Sequence, residues 1–296
     1  MNVKKKVSVY KILIHIFFLL LSIGFVIPLI TIISISLSNE TDIVLSGYRL
    51  IPKNIDFNAY RFVFKNHQQL INAYKVNVVL SSVGLLIYLV MSSMCAYAIS
   101  RYDFKYKSAI TFYLFFTMLF NGGLVPVYIL MTNFLRLKNT YAALIIPLLG
   151  NVWFVFLMRT FFQQLPGSII ESARIDGANE WLTYYKIVLP LSTPALATVG
   201  LLQLLANWNS WFPALLYIDE PRLYTLQYLL QVMLRNIQEA IRTMDNIPGG
   251  LYDAQNLPTE SLRMAMCILA IGPMLFVFPF FQKYFVTGLT VGAVKG

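Results

Sequence analysis

The chain has 296 residues, of which 58% are hydrophobic and only 12% are charged. An ordinary soluble domain has about 45–50% apolar and about 25% charged residues, so this composition excludes a typical soluble protein. The net charge of +10 does not indicate nucleic-acid binding, because the basic residues are scattered over tails and loops and form no patch interleaved with exposed aromatic residues.

The apolar residues are grouped into six long runs, and each approaches or exceeds the roughly 20 residues that a helix needs to cross a bilayer. The first run follows lysines at positions 4–6, as in a signal peptide. It continues to about Leu37 without an A-x-A-like cleavage site, so we interpret it as a retained span. The sequence therefore predicts one all-α membrane domain with six transmembrane helices, at about 12–36, 73–99, 108–133, 140–162, 191–217 and 263–285.

The short loops indicate how these spans are oriented. Arg101, Lys105 and Lys107 fill the loop between spans two and three, whereas only Arg136 and Lys138 lie between spans three and four. Lys and Arg are concentrated in short cytoplasmic loops. We therefore predict a multi-pass membrane protein in which both termini and the segment between spans four and five are cytoplasmic. The low Cys count and the lack of a targeting signal fit the bacterial plasma membrane.

Span three is interrupted by Asn121-Gly122-Gly123 and by Pro126. Such residues are tolerated in a membrane helix when its neighbours satisfy the freed backbone groups. Two interpretations are open here. The interruption is either a packing kink or a break that lines a pathway, and in the second case Asn121 faces the substrate.

Between spans four and five lies a stretch that is too polar for the bilayer, residues 165–190, called the corner segment below. Ser168 and Glu171 have the S-x-x-E spacing of a capping box, which predicts a helix that begins at Ile169. Gly177 follows an Asp and can adopt the left-handed conformation that ends a helix.

A second short helix is predicted at about 179–188, ending before Pro190, because a proline restricts the residue ahead of it. The corner segment would then consist of two short helices with a sharp turn between them. Such a structure suits docking into a groove on a soluble partner.

The corner segment also carries a family resemblance. Its Glu171-Ser172-Ala173, Gly177 and Ile187-Val188-Leu189-Pro190, at these spacings, resemble the EAA loop of permease subunits of binding-protein-dependent ABC importers. Asp176-Gly177-Ala178 is similar to the carbohydrate-uptake, maltose-type branch of that family. Ser172 stands where the family has Ala, which is a small-for-small change. The resemblance extends from roughly residue 70 to the end of the chain.

This resemblance implies a fold and a set of partners. The fold would be that of a type I ABC importer permease, with residues 70–285 as a core of five spans, residues 1–69 as the N-terminal tail, first span and external segment, and residues 286–296 as a cytoplasmic tail. The partners would be a second homologous permease subunit, two ATPase subunits that bind ATP and Mg, an extracellular solute-binding protein and membrane lipid. The cargo would be an oligosaccharide.

The resemblance further implies which residues meet the ATPase subunits. In the corner segment, Glu171 would orient the turn, and the apolar side chains would pack into the partner's groove. The tail 288–296 contains too much Gly for a stable helix. It is either a frayed terminus or, as in similar maltose-type permeases, a contact with the ATPase pair. The predicted coupling residues are Ile169, Ile170, Glu171, Ser172, Ala173, Asp176, Gly177, Ala178, Thr290, Gly292 and Lys295.

Span five contains a polar stripe in which Gln203, Asn207 and the Ser210-Trp211 pair follow the spacing of one helical face. Amides in a membrane helix are satisfied either by a water-lined cavity or by a neighbouring helix. The first alternative is a sugar path. The second makes the amides helix–helix contacts and places the tryptophans in the interfacial aromatic belt. The predicted substrate-path residues are Asn121, Gln203, Asn207, Trp208, Ser210 and Trp211.

After span five, apolar residues recur at helical spacing between Leu226 and Ile241, with polar residues between them. This pattern predicts an amphipathic helix outside the membrane. Such a helix could lie in the membrane interface, pack on other external segments or contact the binding protein.

Motifs that do not occur in the sequence help to distinguish between the possible classes of function. The chain has no G-x-x-x-x-G-K-[ST] motif, so it lacks a P-loop for ATP and is not predicted to be an enzyme. The predicted spans contain no Asp or Glu, which argues against the alternative of an ion-coupled secondary sugar transporter, although backbone carbonyls can also bind sodium. Only two His residues occur, too few for the His-based site of a glycan-processing enzyme. Cys95 and Cys267 have no C-x-x-C spacing, so no metal site or disulfide is predicted.

Overall fold

The structure is a computed structural model that describes residues 9–65, 67–245 and 258–293. Within these ranges the backbone is helical between short loops and pairs as β-structure only at an isolated bridge between Ser38 and Ile55. In chain order the helices are α1 (Val9–Ser36), α2 (Glu40–Ser46), α3 (Asn58–Lys65), α4 (His67–Ser100), α5 (Lys107–Leu119), α6 (Leu124–Ile129), α7 (Tyr141–Ile145), α8 (Val152–Gln163), α9 (Gly167–Ile175), α10 (Glu180–Thr183), α11 (Leu189–Leu191), α12 (Thr193–Trp208), α13 (Phe212–Tyr217), α14 (Leu226–Asp245) and α15 (Glu260–Ala293). Irregular helical turns occupy Leu130–Phe134, Ile146–Gly150, Tyr184–Val188 and Pro221–Leu223.

The prediction of six spans agrees with this arrangement. Among the described residues, α1, α4 and α15 are each long and apolar enough to cross a membrane alone. Three bent pairs of helices pass the same test together. Two of these pairs, α5 with α6 and α7 with α8, coincide with predicted spans three and four. If each bent pair is one span, the described chain has up to six.

Span three is broken rather than kinked. The helices on either side of the interruption meet at 109°. Gly123 has a φ of +89°, which favours glycine, and its N–H donates to Asn121 Oδ1 at 2.8 Å. The Asn121 side chain thus satisfies a backbone donor at the start of α6, where an uninterrupted helix would have used a carbonyl.

The predicted extent of span five and the predicted absence of helix in the tail are wrong. Span five is not continuous from 191 to 217, because α12 ends at Trp208 and α13 begins only after Trp211, with a proline in its first turn. The candidate membrane span Glu260–Gln282 agrees with predicted span six, but its helix, α15, continues to Ala293, although the Gly content of the tail from residue 288 predicts no stable helix there. The sequence prediction counted the cost of Gly288 and Gly292. A helix that extends an existing one does not repeat the unfavourable nucleation step, so two glycines are tolerated.

The described residues divide into two compact units, one drawn from residues 9–65, 67, 230–245 and 258–272 and the other from residues 68–229 and 273–293. In the first unit, the large apolar side chains along α1 are exposed on every side of the helix. In a membrane such a helix faces lipid or another subunit. The predicted short helix at Asn58–Lys65 is confirmed as α3. The predicted amphipathic helix is confirmed as α14, whose apolar face is buried at Leu226, Leu229 and Ile237.

The core of the second unit fixes the position of the corner segment. Buried side chains from α4, α8 and α12 pack around Tyr184 and Val188, which lie in the irregular turn of the corner segment. Met158 and Val199 in this cluster are completely buried. The second half of the corner segment is therefore part of the core and not a loose loop.

Candidate functional site

The corner segment begins with α9, which starts at Gly167, two residues before the predicted start. The predicted capping box is wrong. Because Ser168 already lies inside the helix, its side chain makes no cap, and its carbonyl instead accepts a hydrogen bond from Ser172 Oγ at 2.8 Å. The exposed Glu171 side chain has no hydrogen bond or ion pair with the described residues. Its predicted role in orienting the turn therefore has no support in these contacts.

The turn that follows α9 is confirmed. Gly177 has a φ of +80°, its N–H donates to Arg174 O at 3.0 Å, and Ala178 N donates to Ala173 O at 2.9 Å. These two bonds form the Schellman motif that ends many helices. A Cβ placed on Gly177 would have no atom within 4 Å, so the requirement for glycine comes from the backbone conformation and not from crowding.

The second arm starts as predicted and ends later. The Asn179 side chain caps α10 by accepting from Leu182 N at 2.9 Å. The helix does not stop before Pro190 but continues through it to α11. A wider π turn precedes the proline, with Leu189 N donating to Tyr184 O. The altered spacing accommodates the proline ring, which would clash with a carbonyl in a regular α-helix.

The apolar residues of the corner differ in exposure from the prediction. Ile170 and Ala173 are both only 7% exposed, so they pack against their own chain and cannot fill a partner's groove. Sequence spacing alone could not distinguish an inward from an outward face. The outward apolar side chains are Ile175, Trp181 and Tyr185, which are 86%, 66% and 71% exposed, together with Ile169 at 39%. Asp176 and Gly177 are exposed, whereas Ala178 is half-buried.

A cluster of polar side chains that the sequence analysis missed joins the corner segment to the end of α4. Arg174 donates to Asp103 Oδ2 and, at 2.6 Å, to Glu180 Oε1. Tyr97 Oη donates to the other oxygen of Glu180, also at 2.6 Å. Arg101 lies close to the same two carboxylates, with its Nε 3.6 Å from Asp103 and 3.9 Å from Glu180. We call these five residues the clamp.

Electrostatics within the clamp favour the charged forms. The hydrogen bond from Arg174 lowers the pKa of Asp103. Partial burial of Glu180 works in the opposite direction, but the hydrogen bonds from Tyr97 and Arg174 outweigh it, so the pKa of Glu180 is also lowered. The hydrogen bonds to Asp103 and Glu180 raise the pKa of Arg174. Asp103, Glu180 and Arg174 are therefore all charged near neutral pH.

The amides of span five form a second site, a buried seam between helices. Gln203 Nε2 donates to Leu148 O at 3.0 Å and to Asn207 Oδ1 at 2.9 Å. Gln203 and Asn207 are 1% and 0% exposed. The contact is close on the α4 side, since a Cβ on Gly84 would lie 3.1 Å from Asn207 Nδ2. Of the two interpretations of these amides, the geometry supports helix–helix contacts.

The other predicted substrate-path residues do not lie together in the buried seam. Trp208 is buried, and its carbonyl accepts from Asn77 Nδ2 at 3.0 Å, while Asn77 Oδ1 accepts from Leu226 N at 3.1 Å. Ser210 and Trp211 follow the end of α12, so they do not continue its face, and Trp211 is 37% exposed. The exposed Asn121 lies in the break of span three.

The structure describes only some of the tail residues that are predicted to contact the ATPase. Thr290 and Gly292 belong to α15, whereas Lys295 lies outside the described residues. A contact between this end of the chain and an ATPase stays a prediction.

Comparisons with known proteins agree with the geometry. The model of a family described as binding-protein-dependent transport system inner membrane component matches residues 70–291. The chain is 33% identical to the polygalacturonan/rhamnogalacturonan transport system permease protein YtcP of Bacillus subtilis, over 98% of this chain and 100% of that protein. It is 30% identical to the arabinooligosaccharides transport system permease protein AraQ of the same species, over 98% and 97%. Among solved structures it is similar to a bacterial ABC transporter involved in the import of the acidic polysaccharide alginate, with a TM-score of 0.77, 27% identity and coverage of 96% of this chain and 100% of that one.

Proposed function

The chain belongs to the family of inner membrane components of binding-protein-dependent transport systems, and we propose that it forms half of the translocation path of an ATP-driven importer for an oligosaccharide. The other half would come from a second, homologous permease subunit. The single observation that carries this proposal is the corner segment, in which two short helices meet at the Gly177 turn and present apolar side chains outward.

The outward side chains support a docking surface for a separate ATPase. Ile175, Trp181 and Tyr185 are exposed beside a rigid turn, which is the arrangement that an apolar groove on a partner would receive. The basic loops support a cytoplasmic location for this surface, where ATP is available. Two copies of the ATPase, one for each permease subunit, would bind ATP and Mg, because this chain has no P-loop.

The mechanism would be alternating access. ATP binding closes the ATPase pair, and the corner segment transmits this movement to the spans that flank it, which open the path toward the outside. An external solute-binding protein then delivers the oligosaccharide, and hydrolysis resets the path. A conformational equilibrium shifts only when an interaction differs in free energy between the two states, and the contacts with the ATPase would supply this difference.

The substrate class is supported by the relatives, whose names refer to polygalacturonan, rhamnogalacturonan and arabinooligosaccharides. Within this chain, the exposed Asn121 and the partly exposed Trp211 have the chemistry that sugars require, an amide for hydroxyl groups and an aromatic face for apolar sugar faces. The buried Gln203 and Asn207 would instead hold the path together from behind.

The test is ATP-driven uptake by the assembled complex in liposomes. The chain is co-expressed with the permease, ATPase and binding-protein subunits from neighbouring genes, and uptake of radiolabelled arabino- and galacturono-oligosaccharides is measured together with ATP hydrolysis. Gly177→Pro should abolish uptake without preventing insertion in the membrane, because proline cannot adopt a positive φ and lacks the N–H that donates to Arg174 O. Uptake by this chain alone, driven by an ion gradient without ATP, would overturn the proposal.

A further inference from the structure

The clamp connects the corner segment to a third span, beyond the two spans that flank it in sequence. We propose that Arg174 is a positioning residue through which movement of the corner is delivered directly to α4, the second span. This inference rests on the proposed function. It adds a second route by which movement of the corner segment reaches the membrane, through a span that does not adjoin the corner segment in sequence.

Arg174 holds two carboxylates from different parts of the chain. Its guanidinium reaches Asp103, 71 residues away in the loop that follows α4, and Glu180, on the far side of the Gly177 turn. Arginine suits this role because its planar fork presents several donors in fixed directions. Both arms of the corner are thereby tied to each other and to the α4–α5 loop.

A second layer of contacts lies beneath the charged one. Tyr97, near the end of α4, is 8% exposed and donates to Glu180, and its ring lies 5.3 Å from the ring of Tyr184. One turn earlier on α4, Ser93 Oγ lies 2.7 Å from Tyr184 Oη in a buried hydrogen bond. The second arm of the corner therefore cannot be displaced from α4 without breaking these contacts.

Movement of α4 would also reach the buried seam. This helix is continuous from His67 to Ser100, a length of about 50 Å at 1.5 Å per residue. Asn77 on α4 donates to the carbonyl of Trp208, and Gly84 lies so close to Asn207 that an added Cβ would be 3.1 Å from its Nδ2. A rigid displacement at the clamp is thus carried to the other end of the same helix, where α12 gives way to the exposed Trp211.

The exposure of the Arg174–Asp103 ion pair indicates that its loss would affect coupling more than folding. The side chains of Arg174 and Asp103 are 37% and 36% exposed, and ion pairs of this kind contribute little to folding. Removing the charge should therefore leave the subunit folded and in place. What it should change is the efficiency with which hydrolysis is converted into transport.

The experiment measures the number of ATP molecules hydrolysed per oligosaccharide imported by the reconstituted complex. Arg174→Gln should raise this ratio about fivefold or more, the lower end of ordinary coupling effects between sites. Arg174→Lys should give an intermediate value, since it keeps the charge but loses the fork. Combining Arg174→Gln with Asp103→Asn should be no worse than Arg174→Gln alone, because both remove the same contact.

Lys105→Gln is the matched control. It removes a cation from the same loop as Asp103, and within the described chain the Lys105 ammonium contacts only the ring of Tyr106. Its ratio should equal that of the wild type. If Arg174→Gln does not accumulate in the membrane, Tyr97→Phe replaces it as the deciding variant, because it removes only the hydroxyl that donates to Glu180 and keeps the buried ring.

The outcomes separate this inference from the proposed function. A normal ratio in Arg174→Gln, or in Tyr97→Phe where it decides, together with loss of uptake in Gly177→Pro would reject the clamp and leave the importer in place. Failure of any ATPase to co-purify with the wild-type subunit would reject both. A raised ratio in the clamp variants, at normal membrane levels and with the ATPase still bound, supports the inference.

Discussion

Each compact unit has a carboxylate that anchors a helix, and the two carboxylates are held by different kinds of contact. Glu40 is 7% exposed and accepts four hydrogen bonds from the first turn of α15, from Thr259 Oγ1, Glu260 N, Ser261 N and Ser261 Oγ. Glu180 is half-exposed and is held by Arg174 and Tyr97. The first contact uses neutral donors at the positive end of a helix, and the second uses an ion pair open to solvent.

We call the first contact the fixed anchor, because its loss should destabilise the fold, and the second the adjustable anchor, because its loss should cost the fold little stability. A buried carboxylate leaves several donors unsatisfied when it is removed, and this cost is large. An exposed ion pair can exchange protein contacts for water at little cost. A strong anchor suits the start of a membrane span, whereas an exposed ion pair can link the corner segment to α4 without adding much to the stability of the fold.

The largest effect on stability is expected from Glu40→Ala. Loss of the four hydrogen bonds should lower the free energy of unfolding by about 3 kcal/mol, since hydrogen bonds to charged groups contribute about 1.5–3 kcal/mol each and water that enters the space left by the carboxylate recovers part of this. The measurement is the thermal unfolding midpoint of the purified subunit in detergent. Asp42→Ala is the matched control on the same helix, because Asp42 accepts from Asn54 and from no other described side chain. Similar midpoints for the two variants would contradict a fixed anchor at Glu40.

Gly84→Ala tests whether a buried contact between helices also contributes strongly to stability in the second compact unit. The added Cβ would lie 3.1 Å from Asn207 Nδ2, so the seam must shift at an expected cost of about 1–2 kcal/mol. Gly200→Ala is its control, because the nearest atom to the new Cβ, Leu89 Cδ1, is at an ordinary 3.6 Å. The control should be neutral or slightly stabilising, since Ala is the better helix former. If both variants unfold at the same temperature, the α4–α12 contact is looser than the structure indicates.

Acid should weaken both anchors, but the fixed one more. Burial of Glu40 alone would raise its pKa, yet the hydrogen bonds from Ser261, Thr259 and Glu260 outweigh this and lower it below the ordinary value of 4.5. A carboxylate with a lowered pKa contributes stability that is fully present above its unfolded pKa and is lost as the pH falls through the folded one. The thermal unfolding midpoint should therefore decrease as the pH is lowered below about 4.5. In Glu40→Gln, which has no carboxylate at this position, the midpoint should depend less on pH. An equally steep decline in that variant would assign the acid sensitivity to other groups.

Local structure was predictable from sequence, and contacts between distant residues were not. The Gly177 turn and the Asn179 cap depend on residues within a few positions of each other, so their chemistry is visible in the chain. The capping box failed although it is local, because another start two residues earlier was also available. Arg174 meets Asp103 over 71 residues and Gln203 meets Leu148 over 55, and no spacing rule predicts such pairs. The fold and the corner were therefore predictable, while the clamp and the seam required the structure.

The smallest effect is expected from Lys138→Gln, which removes an exposed ion pair with no proposed role in transport. Lys138 Nζ lies 2.7 Å from Asp219 Oδ2, and the two side chains are 44% and 66% exposed. The thermal midpoint should not change measurably, nor should it respond when salt is raised enough to screen the wild-type pair. Arg174→Gln should match this variant in stability and differ from it only in the ATP spent per oligosaccharide. A similar loss of stability in both would show that exposed pairs here also hold the fold, and the distinction between a fixed and an adjustable anchor would then fail.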